Sequence, residues 1–304
     1  MKNGTDFTNC GRVLGKAYNG ANGKKIAVTY EGHQYMLKFP PSGQAKPTEL
    51  SYTNSCFSEH IACNIFNMLK VAAQETMLGT YHVAGKTKVV CACRDFTADG
   101  RQLFDFCSIK NTILDSDSNG TGTELSDILE TIEKQQFLEP GRLLAHFWDM
   151  FVIDALLGNF DRHNGNWGFL YDPETKTTDI APVYDCGSCL LPQADEEVMK
   201  SVLENEDALN QRIFRFPTSA VKIDGRKINY YDFLTKAENM DCNAAVKRIY
   251  ERLDMEQISY FIEEIPYADD LQKEFYKRYI RARVDLIISP AYEMILADNK
   301  HFYH

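Results

Sequence analysis

Asp161 and Asn166 lie in one short segment, Gly158-Asn159-Phe160-Asp161-Arg162-His163-Asn164-Gly165-Asn166, and Asp185 follows in Ala181-Pro182-Val183-Tyr184-Asp185. Phosphoryl transfer needs such side chains: a carboxylate to accept the proton of the attacking hydroxyl, and hard oxygen ligands for Mg²⁺. Asp161 and Asn166 have the spacing at which a kinase catalytic loop sets its base and its metal-binding amide. An isolated Asp-x-x-x-x-Asn is equally at home in a polar turn, where both side chains bond the backbone. The preceding helix, the following hairpin and Asp185 favour the catalytic reading, with Asn166 and Asp185 as metal ligands. His163, in the same loop, is expected to order it or to contact phosphate rather than to exchange protons.

Lys38 stands in Tyr35-Met36-Leu37-Lys38-Phe39, on the strand face opposite Leu37 and Phe39. A lysine on an inner face is costly without an anionic partner. Glu59, early in the next helix, is the natural partner, in a pair that aims the amine at the phosphates of ATP. The plainer alternative is a surface lysine and a solvated glutamate. Gly20-Ala21-Asn22-Gly23 precedes the strand pair, where backbone N–H groups would approach a phosphate, although Asn-Gly also makes ordinary turns. By position alone, the strand through Cys93 and Asp95 would line the adenine site, its backbone reading the base. Cys186-x-x-Cys189 has a zinc or redox spacing, but zinc needs about four ligands. Cys91-x-Cys93 is the other close pair and nothing in the sequence joins the two, so small buried thiols are the better reading.

These side chains need elements to hold them. Residues 24–39 read as a β-hairpin turning at Glu31-Gly32 and ended by Pro40 and Pro41. Residues 55–70 carry Phe57, Ile61, Ile65 and Leu69 at helical spacing, capped by Asn54 or Ser55. Residues 88–96 read as a strand running into the turn Asp99-Gly100. Residues 115–124 form a Ser/Thr-rich, low-complexity patch, expected to be a solvated loop. A helix is predicted from Pro140 to Leu157, with proline in its first turn and Gly158 at its end. Residues 167–171 and 177–183 form a second hairpin around Asp172-Pro173-Glu174, and three or four amphipathic helices follow from about Asp232. The fold class is therefore α+β with two lobes: a small β-rich part over 1–98 and a larger, mainly helical part over 99–304.

The 304 residues suffice for two lobes, and the net charge of −10 gives no general attraction to nucleic acid or anionic membranes. No apolar run is long enough to span a bilayer, because Asp149, Asp154 and Asp161 interrupt the most hydrophobic region. The first residues lack the apolar stretch of a signal peptide, which makes the nine cysteines read as reduced thiols and the cytoplasm the default location.

In order and spacing these motifs resemble the HipA-like kinases, a branch of the protein-kinase-like superfamily. The segments that carry the resemblance are 158–166 and 181–185, together with Tyr35-Met36-Leu37-Lys38-Phe39-Pro40-Pro41 and Ser58-Glu59-His60. Tyr18-Asn19-Gly20-Ala21-Asn22-Gly23-Lys24 is similar to the short stand-alone members of the cell-translocating kinase type. The resemblance implies Ser/Thr protein phosphorylation and often autophosphorylation. It makes Asp161 the base, Asn166 and Asp185 the metal ligands and Lys38 the nucleotide lysine. A protein substrate is thus expected, without direct binding of nucleic acid or membrane, and with room for a regulatory partner or for translocation out of the cell. Longer HipA toxins carry an N-terminal subdomain not expected here, so antitoxin pairing and DNA-bound complexes are not carried over. The Asp-Arg-His signature also resembles phosphoinositide kinases, but no polybasic cluster faces a membrane. A nucleotide-binding pseudokinase is disfavoured by the joint presence of Lys38, Asp161, Asn166 and Asp185.

Overall fold

The computed structural model describes residues 4–16, 18, 24–41, 53–114 and 120–301, with side chains to residue 297. The glycine segment 20–23 and residues 115–119 of the low-complexity patch therefore lie outside the described residues.

Two short strands, β1 (Thr5–Asp6) and β2 (Gly11–Arg12), precede the expected hairpin of β3 (Lys25–Tyr30) and β4 (His33–Lys38). Helix α1 (Ser55–Met68) follows, then β5 (Thr76–Val83) and β6 (Lys86–Arg94). The six strands form one sheet in the order β1-β5-β6-β4-β3-β2. Strand β5 goes beyond the sequence reading: it has no strict alternation and carries Gly79, and its pairing with β6 along Thr76–Val83 supplies what the local pattern lacks.

Alternation along β4 divides the sheet. Tyr35, Leu37 and Phe39 join Phe7, Val28, Tyr81 and Val90 in a small apolar cluster on one face. Lys38, Cys91 and Cys93 belong to the other face, where α1 buries Ile61, Ala62, Ile65 and Phe66 completely. That inner layer continues without a break into the core of the helical part.

The larger part opens with β7 (Gln102–Asp105), α2 (Phe106–Ile113) and α3 (Leu125–Lys134). Helix α4 runs over Pro140–Leu157, the predicted span, and ends at Gly158, whose φ of 64° is left-handed. Strands β8 (Gly168–Asp172) and β9 (Thr177–Ile180) form the expected hairpin, and β7 joins them in a three-stranded sheet. Helices α5 (Glu196–Glu204) and α6 (Glu206–Asn210) lead to a small hairpin of β10 (Lys222–Ile223) and β11 (Arg226–Lys227). Five helices close the chain where three or four were expected: α7 (Tyr230–Lys236), α8 (Met240–Glu251), α9 (Met255–Glu263), α10 (Asp270–Arg283) and α11 (Ser289–His301).

Two features tie the halves together beside the candidate residues. Residues 72–74 run parallel to the segment before Asp185, with Val183 N–H donating to Ala72 and Gln74 N–H donating to Val183. Asn54 occupies the N-cap position of α1, but its side chain does not cap it. Its amide donates instead to the Ala194 carbonyl at 2.7 Å and its carbonyl accepts from Gln272 at 3.0 Å.

Candidate active site

Lys38, Glu59 and Asp185 come from β4, α1 and the loop after β9, far apart in sequence. The Lys38 ammonium sits 2.9 Å from Glu59 Oε2 and 2.9 Å from Asp185 Oδ1. Glu59 is fully buried and Asp185 is about one-third exposed. Burial alone would lower the Lys38 pKa, but Asp185 and Glu59 hold it well above the usual lysine value. Burial raises Glu59, with Lys38 pulling in the opposite direction. Lys38 holds Asp185 below the usual carboxylate range in spite of burial. Asp185 has a left-handed φ of 55°, a conformation that Asp tolerates better than most residues. The bridge of Lys38 between two carboxylates thus crosses a narrow cleft that Asp161 and Ser188 also line.

The loop after Gly158 is built from its own bonds. Asn159 Oδ1 accepts from Asp161 N–H at 3.0 Å, and Asn166 Nδ2 donates to the Asp161 carbonyl at 2.9 Å. That second bond takes the amide nitrogen of Asn166, so its oxygen is the atom left for a cation. Burial and the charge of Asp185 push Asp161 up, while His163 and Lys227 pull it down. With its hard oxygen donors, the set of Asn166 and Asp185 fits Mg²⁺ chemically.

The HipA-like C-terminal domain family matches residues 17–256 of this chain. The chain belongs to the HipA-like family. It is 50% identical over 288 residues to the serine/threonine-protein kinase CtkA of Helicobacter pylori, across 94% of this chain and 87% of the relative. The crystal structure of the Helicobacter pylori proinflammatory kinase CtkA matches with a TM-score of 0.89 at 48% identity, over 96% of this chain and 99% of that one. HipA of Shewanella oneidensis MR-1, solved with HipB and its operator DNA, matches with a TM-score of 0.55 at 16% identity, over 93% of this chain and 70% of that one. The last likeness concerns the fold alone, which is protein-kinase-like: an N-terminal β-sheet followed by a helical region.

In this HipA-like chain, Cys93 and Asp95 are engaged differently from the expectation that their backbone reads a base. Cys93 lies within the sheet, in register with Met36 on one side and Thr76 on the other. Asp95 N–H donates to the Gln34 carbonyl at 2.9 Å. The Asp95 carboxylate accepts from Tyr18 Oη at 2.7 Å and Thr97 Oγ1 at 2.6 Å, and it pairs with Lys16. Asp95 therefore ties the stretch before the glycine segment to the end of β6.

His163 is exposed, and its Nδ1 accepts from Gly165 N–H at 3.0 Å within the loop. The low-complexity patch departs from expectation at its described end. Gly120 is buried, and the Gly120 and Gly122 carbonyls accept from Asn164 Nδ2 at 2.9 and 2.8 Å. Lys110, itself fully buried, also donates to Gly122 at 2.7 Å. A solvated loop has no such partners; this end braces the loop that carries Asp161. All nine cysteines are free, with Cys91, Cys93, Cys186 and Cys189 buried as expected.

Sequence reading missed the buried centre of the loop, Arg162 and Asp154. Arg162 Nε lies 2.9 Å from Asp154 Oδ2, and Nη1 donates to the carbonyls of Asn166 at 2.9 Å and Tyr184 at 2.6 Å. A signal was present: Asp154 stands in the most apolar stretch of the chain, and a buried charge requires a partner.

A roomier cavity, about 400 Å³, lies elsewhere, lined by His33, Gln34, Gln74, Arg94, Asp99 and Pro182. Size alone would place the site there. Its arginines, however, are neutralised by Glu75 and Asp99, and none of Lys38, Asp161 and Asp185 lines it.

Proposed function

We propose that Asp161 accepts the proton of an acceptor hydroxyl while Lys38, positioned by Glu59, holds the phosphates of ATP. The chain is a serine/threonine-protein kinase, an enzyme that moves the γ-phosphoryl group of ATP to a protein hydroxyl. The observation that carries the residue assignment is Lys38, held 2.9 Å from both Glu59 and Asp185. A buried ammonium between two carboxylates is poised to exchange one anionic partner for phosphate oxygens when nucleotide arrives. Asn166 and Asp185 would hold Mg²⁺, which when bound neutralises charge on the phosphate oxygens. In this reading residues 1–98 grip the nucleotide and residues 99–304 carry the base and receive the acceptor. The raised pKa of Asp161 suits a base that must take a proton and then release it. Among the described residues no helix is long and apolar enough to cross a membrane.

The test uses the purified protein with labelled ATP, Mg²⁺ and a protein acceptor, with the chain itself as a second acceptor. Asp161→Asn should lower transfer by about 10²–10⁴-fold while ATP still raises the Tm of the variant. Equal transfer by parent and variant would refute the assignment of the base. Label entering phosphoinositide vesicles and no protein would point to a lipid acceptor instead.

A further inference from the structure

The chain is strongly acidic overall, with a net charge of −10, yet the hairpin β10–β11 holds Lys222, Arg226 and Lys227 within six residues. Lys222 and Lys227 are direct cross-strand partners. Like charges placed opposite each other on a two-stranded ribbon repel. Among the described residues neither lysine has an ion-pair partner. The nearby Glu124 uses Oε1 to accept from Gly225 N–H at 3.0 Å in the turn. No direct ion pair among the described residues therefore relieves the repulsion in the free protein.

The hairpin is also fixed to both sides of the base. Just after it, Tyr230 Oη donates to the Asn159 carbonyl at 2.7 Å, two residues before Asp161. On its other side Lys222 N–H donates to Thr123 at 2.8 Å, and the adjoining Gly122 carbonyl is held by Asn164, three residues after Asp161. The positive charge of Lys227 is felt at the Asp161 carboxyl, where it opposes the effect of burial. Lys227, exposed, and Lys222, half-buried, thus sit on a hairpin tied to the backbone on either side of the group that receives the acceptor hydroxyl.

We propose that Lys222 and Lys227 form an acceptor subsite for acidic side chains flanking the serine or threonine to be phosphorylated, an inference that rests on Asp161 being the base. A carboxylate lodged between the two ammonium groups removes their repulsion and gains charge-assisted hydrogen bonds. The rest of the surface, being acidic, repels an acidic segment, so this local reversal of sign steers such a segment to the base and disfavours other orientations.

The experiment is a positional-scanning set of peptides built around serine or threonine, phosphorylated by the parent and by the double variant Lys222→Glu/Lys227→Glu. Lys227 is exposed, Lys222 is half-buried, and neither has an ion pair to lose among the described residues, so the variant should keep its Tm. The parent should favour Asp and Glu near the acceptor by about tenfold in kcat/KM, the size expected for a few charge contacts. The variant should turn to Lys and Arg with an unchanged KM for ATP. No acidic preference in the parent, or a preference the variant retains, overturns the proposal. So does a rise in the KM for ATP alone, which would assign the lysines to the nucleotide. If no peptide is labelled while ATP turnover is still lost in Asp161→Asn, the acidic subsite fails and the assignment of the base stands. If turnover ignores Asp161→Asn, both fail.

Discussion

Arg162 bonds Asp154, Asn166, Tyr184 and Cys186 at once, and it is 4% exposed, so its removal changes the charge balance of the interior. Arg162→Met would leave Asp154 buried without a cation, at a cost of about 3–5 kcal/mol near neutral pH. The dependence on pH follows from Asp154. Burial raises its folded pKa above the unfolded value even beside Arg162, and loss of the guanidinium raises it further. A carboxyl with a raised folded pKa binds its proton more tightly when folded, so the penalty is full above that pKa and shrinks as pH falls through it. Urea unfolding at about pH 8 and about pH 5.5 should show the larger loss at the higher pH. An equal loss at both would mean that Asp154 is not the group left uncompensated. Residues of this kind were hard to read from the sequence. Asp161, Asn166 and Asp185 could be picked out because their types and spacing match a chemistry, and Lys38 because strand alternation placed it opposite Leu37. Arg162 has no such mark, since its partners are backbone carbonyls and an aspartate one helix earlier.

At the level of elements, α4 was legible to the residue because both ends are punctuated, by Pro140 within the first turn and Gly158 beyond the last. Gly158 does more than stop a helix, because the loop that carries Asp161 leaves from it. A Cβ there would meet Tyr279 Oη at 2.4 Å and Pro217 Cγ at 2.8 Å, in addition to the strain of a φ of 64°. Gly158→Ala should therefore cost about 2–4 kcal/mol, the left-handed penalty plus overpacking. Gly32 is a fitting control: its φ is 78°, but a Cβ would meet nothing within 4 Å. Gly32→Ala should cost only about 1–2 kcal/mol, the conformational penalty alone. Chemical denaturation of the two variants measures the difference, and equal losses would remove Tyr279 and Pro217 from the explanation. Strands β5 and β7 escaped the sequence reading for the opposite reason. Each is defined by the strand it pairs with, β6 and β8 in turn, and not by punctuation of its own.

Across the whole molecule, α1 carries Glu59 beneath the sheet while its two ends are held by the helical part. At the start, Asn54 N–H donates to Pro192 at 3.0 Å, and the Asn54 side chain bonds Ala194 and Gln272. At the end, Arg252 Nη1 donates to the Leu69 carbonyl at 3.1 Å, and between them His60 packs 5.6 Å from the ring of Phe261. These partners are separated from α1 by more than a hundred residues, which is why the sequence suggested only a capping role for Asn54. A helix anchored at both ends cannot swing Glu59 away from Lys38 without breaking buried hydrogen bonds, each worth about 1 kcal/mol. The Lys38–Glu59 pair should accordingly persist without nucleotide. Asn54→Ala combined with Arg252→Ala removes the side-chain anchors and leaves Glu59 and Lys38 in place. Hydrogen exchange at the amides of residues 55–68 should then quicken by about 10- to 100-fold, the factor for roughly 1.4–2.7 kcal/mol of lost local stability. Phosphoryl transfer should fall with it, because the amine is held in line for less of the time. Unchanged exchange in α1 would show that its apolar contacts, Ile61, Ile65 and Phe66 against the common core, hold the helix by themselves.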